Sequence, residues 1–159
     1  MTSQNERKAW MSLLAKSPVA DLKRLWEAFD GAQSDAQSGA QPDAQSHVWL
    51  RAPEIGGVMV RGRAGATGAP FNLGEMTVTR CSLKLPGGEV GHGYVQGRDK
   101  DHATRAALID AHMQSGQSAA IRRHVLDPLK DLMSASKEER ARKAAATKVD
   151  FFTLARGED

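Results

Sequence analysis

Residues 71–110 read FNLGEMTVTRCSLKLPGGEVGHGYVQGRDKDHATRAALID, and this stretch decides the fold. Residues 75–85 alternate as a strand, Pro86-Gly87-Gly88 supplies a turn, and residues 89–96 return antiparallel. Met76 and Val78 share one face of the first strand, while Cys81, Leu83 and Leu85 share the other. The phase therefore slips near Arg80, which calls for a bulge or for a strand buried on both faces. In the return strand Gly91 and Gly93 flank His92. Glycines there remove side chains where a ligand or another backbone comes close, the plain alternative being a strand crossed by a helix or by the C-terminal tail. A helix over residues 102–113 follows, and Ala103, Ala106, Ala107 and Ala111 let a neighbour approach it closely. Asp99 or Asp101 caps its start. The junction Gly97-Arg98-Asp99-Lys100-Asp101-His102 gathers charge and imidazole at the positive end of that helix, as either an anion site or an ordinary capped start.

Working outward, the N-terminal part predicts two helices. Ser3 with Glu6 forms a capping box, and Trp10, Leu13 and Leu14 share a face. Ser17-Pro18 stops this helix and starts the next, with Ser17 as N-cap. Val19, Leu22, Leu25, Trp26 and Phe29 form the second apolar stripe. Residues 31–46 are a tetrad written four times, GAQS, DAQS, GAQP, DAQS. With no apolar face they read as a flexible low-complexity insert in an otherwise single domain spanning 1–159. Residues 47–51 predict a short strand, 53–56 a turn and 57–63 a second strand, leading into a small glycine-rich loop. That loop lacks the Gly-Lys-Ser/Thr of a P-loop. Toward the C-terminus, Ser118 opens a helix that Asp127-Pro128 bends or ends. Ser136 with Glu139 reads as a second capping box for a solvated or partner-bound helix over 137–148. The expectation is an α+β fold: an antiparallel sheet with helices packed mainly on one face and an N-terminal helical pair.

Composition narrows the function classes. One cysteine, Cys81, permits no internal disulfide and no Cys-ligated zinc or iron–sulfur cluster within the chain. The five histidines form no HxxxH or HxH pair, so no metal site is expected. A net charge of +3 is mild, and no aromatic ladder interleaves the basic residues, so no nucleic-acid partner is expected. The N-terminus is charged rather than signal-like and no apolar run reaches membrane-spanning length, which points to the cytoplasm. No nucleophile–base pair stands in a recognisable motif, so no catalytic residue is assigned.

Four blocks carry a resemblance. They are Glu6-Arg7-Lys8-Ala9-Trp10-Met11-Ser12-Leu13-Leu14-Ala15; Phe71-Asn72-Leu73-Gly74-Glu75 with Thr77-Val78-Thr79-Arg80; Tyr94-Val95-Gln96-Gly97-Arg98-Asp99-Lys100 with His102-Ala103 and Ala107-Leu108-Ile109-Asp110-Ala111; and residues 149–157, VDFFTLARG. In this order they resemble the G subunits of bacterial carbon–phosphorus lyase core complexes. The resemblance implies partners: the H, I and J subunits and an ABC-type companion. It implies a role in transferring the ribose triphosphate of ATP to a phosphonate with loss of adenine. It also places the iron–sulfur chemistry in another subunit, leaving no cofactor in this chain. A subunit that helps hold such a polyanion is expected to offer guanidinium forks and N–H groups. Arg98, Lys100 and His102, with Arg80 on the neighbouring strand, are the expected substrate and phosphate contacts. The alternative is a fold-stabilising network around Asp99 and Asp110. Phe151, Phe152 and Arg156 are the expected partner contacts. The rival reading of the whole chain is a purely structural assembly subunit that touches no substrate.

Overall fold

The computed structural model describes residues 4–36 and 47–147. Its core is a three-stranded antiparallel sheet in the order β1 (Val48–Arg63), β2 (Pro70–Lys84), β3 (Val90–Gln96). Helix α3 (Lys100–His112) lies across β3 and β2. Helices α1 (Gln4–Lys16) and α2 (Val19–Ala36) form the N-terminal pair, and both pack on α3. After α3 the chain continues as α4 (Ser118–Ile121), a π turn over Arg122–Leu126 and α5 (Asp127–Ala146). The α+β architecture is the one expected.

The strand–helix interface follows from the glycines and alanines. Pairing puts Thr79, Cys81 and Leu83 of β2 on one face with Val95, Gly93 and Gly91 of β3. Cys81 Sγ donates to the Ala103 carbonyl at 3.2 Å, so this face looks at α3. A Cβ at Gly91 would collide with the Ala107 carbonyl, and one at Gly93 with the Ala103 carbonyl. The two glycines therefore serve the close approach of a helix, not of a ligand. Leu83, Val95, Ala103, Ala107, Ile109 and Ala111 are fully buried in this layer. At 25–30 cal/mol per Å² such apolar burial is the main stabilising term.

The N-terminal stripes pack as their spacing requires: Trp10, Leu14, Leu22, Trp26 and Phe29 are all buried. Val19 is an exception and stays exposed. Ser17 acts differently from expectation. Its Oγ donates back to the Leu14 carbonyl at 2.8 Å, closing α1 rather than capping α2. Ser3 lies outside the described residues.

Three further expectations are corrected. Residues 53–56 are not a turn, because β1 runs unbroken from Val48 to Arg63 against β2. β1 is an edge strand, where proline needs no ladder partner. Its register shifts between Arg51 and Glu54, which span three residues against the two from Ser82 to Arg80. The irregularity anticipated near Arg80 thus lies in β1 around Pro53, and both Val78 and Thr79 are buried. Second, residues 31–36 continue helix α2, so the tetrad run begins as helix, and 37–46 lie outside the described residues. Third, Ser136 and Glu139 open no new helix, because α5 is continuous through them. Pro128 sits in the first turn of α5, directly after the π turn. Lacking an N–H and crowding the preceding turn, proline favours such a widening.

Candidate functional site

The hairpin–helix junction is a built helix start. Asp99 caps α3, its Oδ1 accepting from the His102 N–H at 2.8 Å. Thr79 Oγ1 donates to the Gly97 carbonyl at 2.8 Å and pins the turn, where Gly97 has a φ of 94°. The side chains of Arg98 and Lys100 are exposed and make no hydrogen bond or ion pair among the described residues. His102 does not join them. Its ring is 4% exposed, and Nε2 sits 2.9 Å from the Leu14 carbonyl and 3.5 Å from Ser17 Oγ. Arg80 lies on the opposite sheet face from α3 and donates to Glu54 at 2.7 Å. That hydrogen bond is the first cause holding the Glu54 carboxyl below its ordinary range. The four expected contacts thus divide into two exposed cations, one exposed ion pair and one buried ring. Phe151, Phe152 and Arg156 lie outside the described residues.

The principal polar node is Asp110, 0% exposed in the middle of α3. Arg7 Nε donates to its Oδ1 at 3.1 Å and Arg7 Nη2 to its Oδ2 at 2.7 Å. Trp10 Nε1 donates to Oδ1 at 2.9 Å and the His92 backbone N–H to Oδ2 at 2.9 Å. Arg7 Nη2 also reaches the Val90 carbonyl at 3.0 Å. A buried charge is tolerated when paired and fully hydrogen-bonded, and this one is both. The node also closes the free edge of β3 with side chains instead of another strand. The sequence flagged Asp110 as a network centre but not its partners. The usable signal was the Arg7/Trp10 spacing of three, which sets both on one face of α1.

Beside this node a groove of about 580 Å³ runs between α1 and β3, with Arg7, Lys8, His92 and Tyr94 among its walls. His92 Nδ1 is 2.8 Å from Ser82 Oγ on the outer sheet face. Sequence reading singled out His92 only as a residue between glycines, and passed over Lys8 and Tyr94.

A second surface feature is the β1–β2 arm. β3 pairs with β2 only as far as Val78, so residues 57–63 and 70–77 extend beyond it as two strands. Met59, Phe71 and Leu73 on this arm are 45–67% exposed. A two-stranded ribbon with exposed apolar side chains is a candidate surface for another chain. Cys81, in contrast, is buried, and burial pushes its thiol up to about 11, so it is no thiolate.

Comparison with known proteins agrees with the sequence blocks. Residues 5–157 match the family described as phosphonate metabolism protein PhnG. A relative from Rhizobium meliloti (strain 1021), the alpha-D-ribose 1-methylphosphonate 5-triphosphate synthase subunit PhnG, is 40% identical over 154 residues. That alignment covers 97% of this chain and 91% of the relative. On the family match and the near full-length likeness together, the chain belongs to the PhnG family of phosphonate metabolism proteins.

Proposed function

We propose that this chain is a non-autonomous subunit of an alpha-D-ribose 1-methylphosphonate 5-triphosphate synthase. In that assembly the ribose triphosphate of ATP passes to a phosphonate and adenine departs. The observation that carries the reading is the 40% identity to the synthase subunit across 97% of the chain. The exposed arm supports assembly, because Phe71 and Leu73 stay 45% and 67% exposed. The partners in this reading are the H, I and J subunits and an ABC-type companion. The iron–sulfur cluster belongs to another subunit, consistent with a lone cysteine held as a neutral thiol. No helix among the described residues is long and apolar enough to cross a membrane, and the proposed setting is the cytoplasm.

Arg98 and Lys100 remain the candidates for contact with substrate at the junction, being exposed cations at a helix start. Arg80 and His102 are assigned to structure, since Glu54 and the Leu14 carbonyl occupy them. Co-expression with the other subunits, followed by purification on a tag carried by the I subunit, tests the assembly. This chain is expected to co-purify at physiological salt. Clean separation there would contradict the reading.

A further inference from the structure

We infer that the groove between α1 and β3 is a binding site for the triphosphate end and flat base of a nucleoside triphosphate. The inference deepens the synthase reading by placing such a ligand on this chain. Three observations carry it.

The first is the sign of the walls. None of the residues lining this groove is acidic, whereas the two neighbouring grooves each contain Glu6 and Asp127 beside their cations. A metal ion or a cationic ligand therefore has no counter-charge here, and an anion has several donors. Lys8 is exposed and has no partner among the described residues. Arg7 is anchored through Nε and Nη2 to Asp110 and Val90, which leaves Nη1 without a partner among the described residues. A guanidinium fixed in this way is pre-organised to donate.

The second is His92. Its Nδ1 meets Ser82 Oγ at 2.8 Å. When Ser82 Oγ donates to Nδ1, Nε2 carries the ring N–H and offers a further donor.

The third is size and shape. A volume of about 580 Å³ is that of a small-molecule site rather than of a bare phosphate. Met11, Ala15 and Ala106 give an apolar wall, and the half-exposed Tyr94 ring gives a flat one. A base stacks on such a ring. The donors lie at Arg7, Lys8 and His92, so a ligand with a polyanionic end and a ring satisfies both parts of the groove.

The test uses the full chain, calorimetric titration at low salt, and ATP and inorganic tripolyphosphate as probes. ATP is expected to bind. Lys8→Glu is expected to weaken both probes by about tenfold or more, the scale of a charge-assisted contact. Tyr94→Ala is expected to weaken ATP by about fivefold or more and to leave tripolyphosphate unchanged. Lys130→Glu, the same charge reversal in a neighbouring groove, controls for net charge. Both lysines and Tyr94 are exposed, so the variants are expected to keep the thermal midpoint of the parent. Absence of ATP binding, or equal losses from Lys8→Glu and Lys130→Glu, overturns the inference. The synthase reading fails separately: ATP binding would persist while the reconstituted synthase showed no need of this chain.

Discussion

Asp110 shows how one side chain can organise three elements. It accepts from α1 through Arg7 and Trp10, from β3 through the His92 N–H, and it sits on α3. Removing one partner of a buried pair costs more than the pair contributes, because the other is left unsatisfied. Asp110→Ala is therefore expected to lower stability by about 3–5 kcal/mol in urea unfolding, with orphaned Trp10 and His92 N–H groups. Arg7→Ala is expected to be comparably harmful, since it strands a buried carboxylate; a loss under about 1 kcal/mol from either would show that the node is replaceable. His112 gives the second residue-scale prediction. Burial beside Trp26 lowers its pKa from the ordinary 6.5, against the opposing pull of Asp30 and Glu89. The unfolded imidazole then takes up its proton at higher pH than the folded one. Stability is full above 6.5 and declines as the pH falls below it toward the folded value. His112→Phe is expected to flatten that slope in denaturation curves between pH 7 and 5, and an unchanged slope would assign it elsewhere. The sequence offered Asp110 as part of a fold-stabilising network and His112 only as one of five histidines. It did not show which groups face them, because both environments are made by helices distant in sequence.

At the scale of elements, the hairpin, the α3 helix and the N-terminal pair were legible because periodicity and turn residues are local signals. The Gly91/Gly93 pair and the alanines of α3 were legible as halves of a close contact, and the structure joins them. Gly91→Ala and Gly93→Ala are each expected to lower stability by about 3 kcal/mol, the upper end for overpacking, since a backbone carbonyl cannot rotate aside. Gly74→Ala, on the same sheet with open space at its Cβ, is expected to be neutral or mildly stabilising. Equal effects at all three positions in thermal melts would refute this packing account. What was not legible has tertiary causes. Pro53 looked like a turn because a central strand rejects proline, but β1 is an edge. Ser136 and Glu139 looked like a cap, but the helix arriving from Asp127 already satisfies the N–H groups a cap would serve. His102 looked like part of an anion site, but the end of α1 folds back to meet its ring. None of these neighbours is written in the local sequence.

The whole molecule combines a well-packed sheet–helix core with an arm whose apolar residues stay bare. That division fits a subunit whose own fold is complete and whose surface awaits other chains. Phe71→Ser with Leu73→Ser is expected to leave the thermal midpoint of the isolated chain within a degree or two, because these side chains are about half or more exposed. The same pair is expected to weaken capture by the co-expressed subunits. Unfolding of the isolated chain, or undiminished capture, would mean that the arm is not the docking surface. The family was legible from four sequence blocks, whereas the arm was not, because a strand's exposure depends on where its neighbour ends. The central claim is that the synthase requires this chain, and phosphorus NMR of a reconstituted reaction tests it most directly. With ATP, methylphosphonate and all subunits present, the signal of ribose 1-methylphosphonate 5-triphosphate is expected to appear, and with this chain alone omitted it is expected to be absent. Undiminished product formation without the chain would contradict the account.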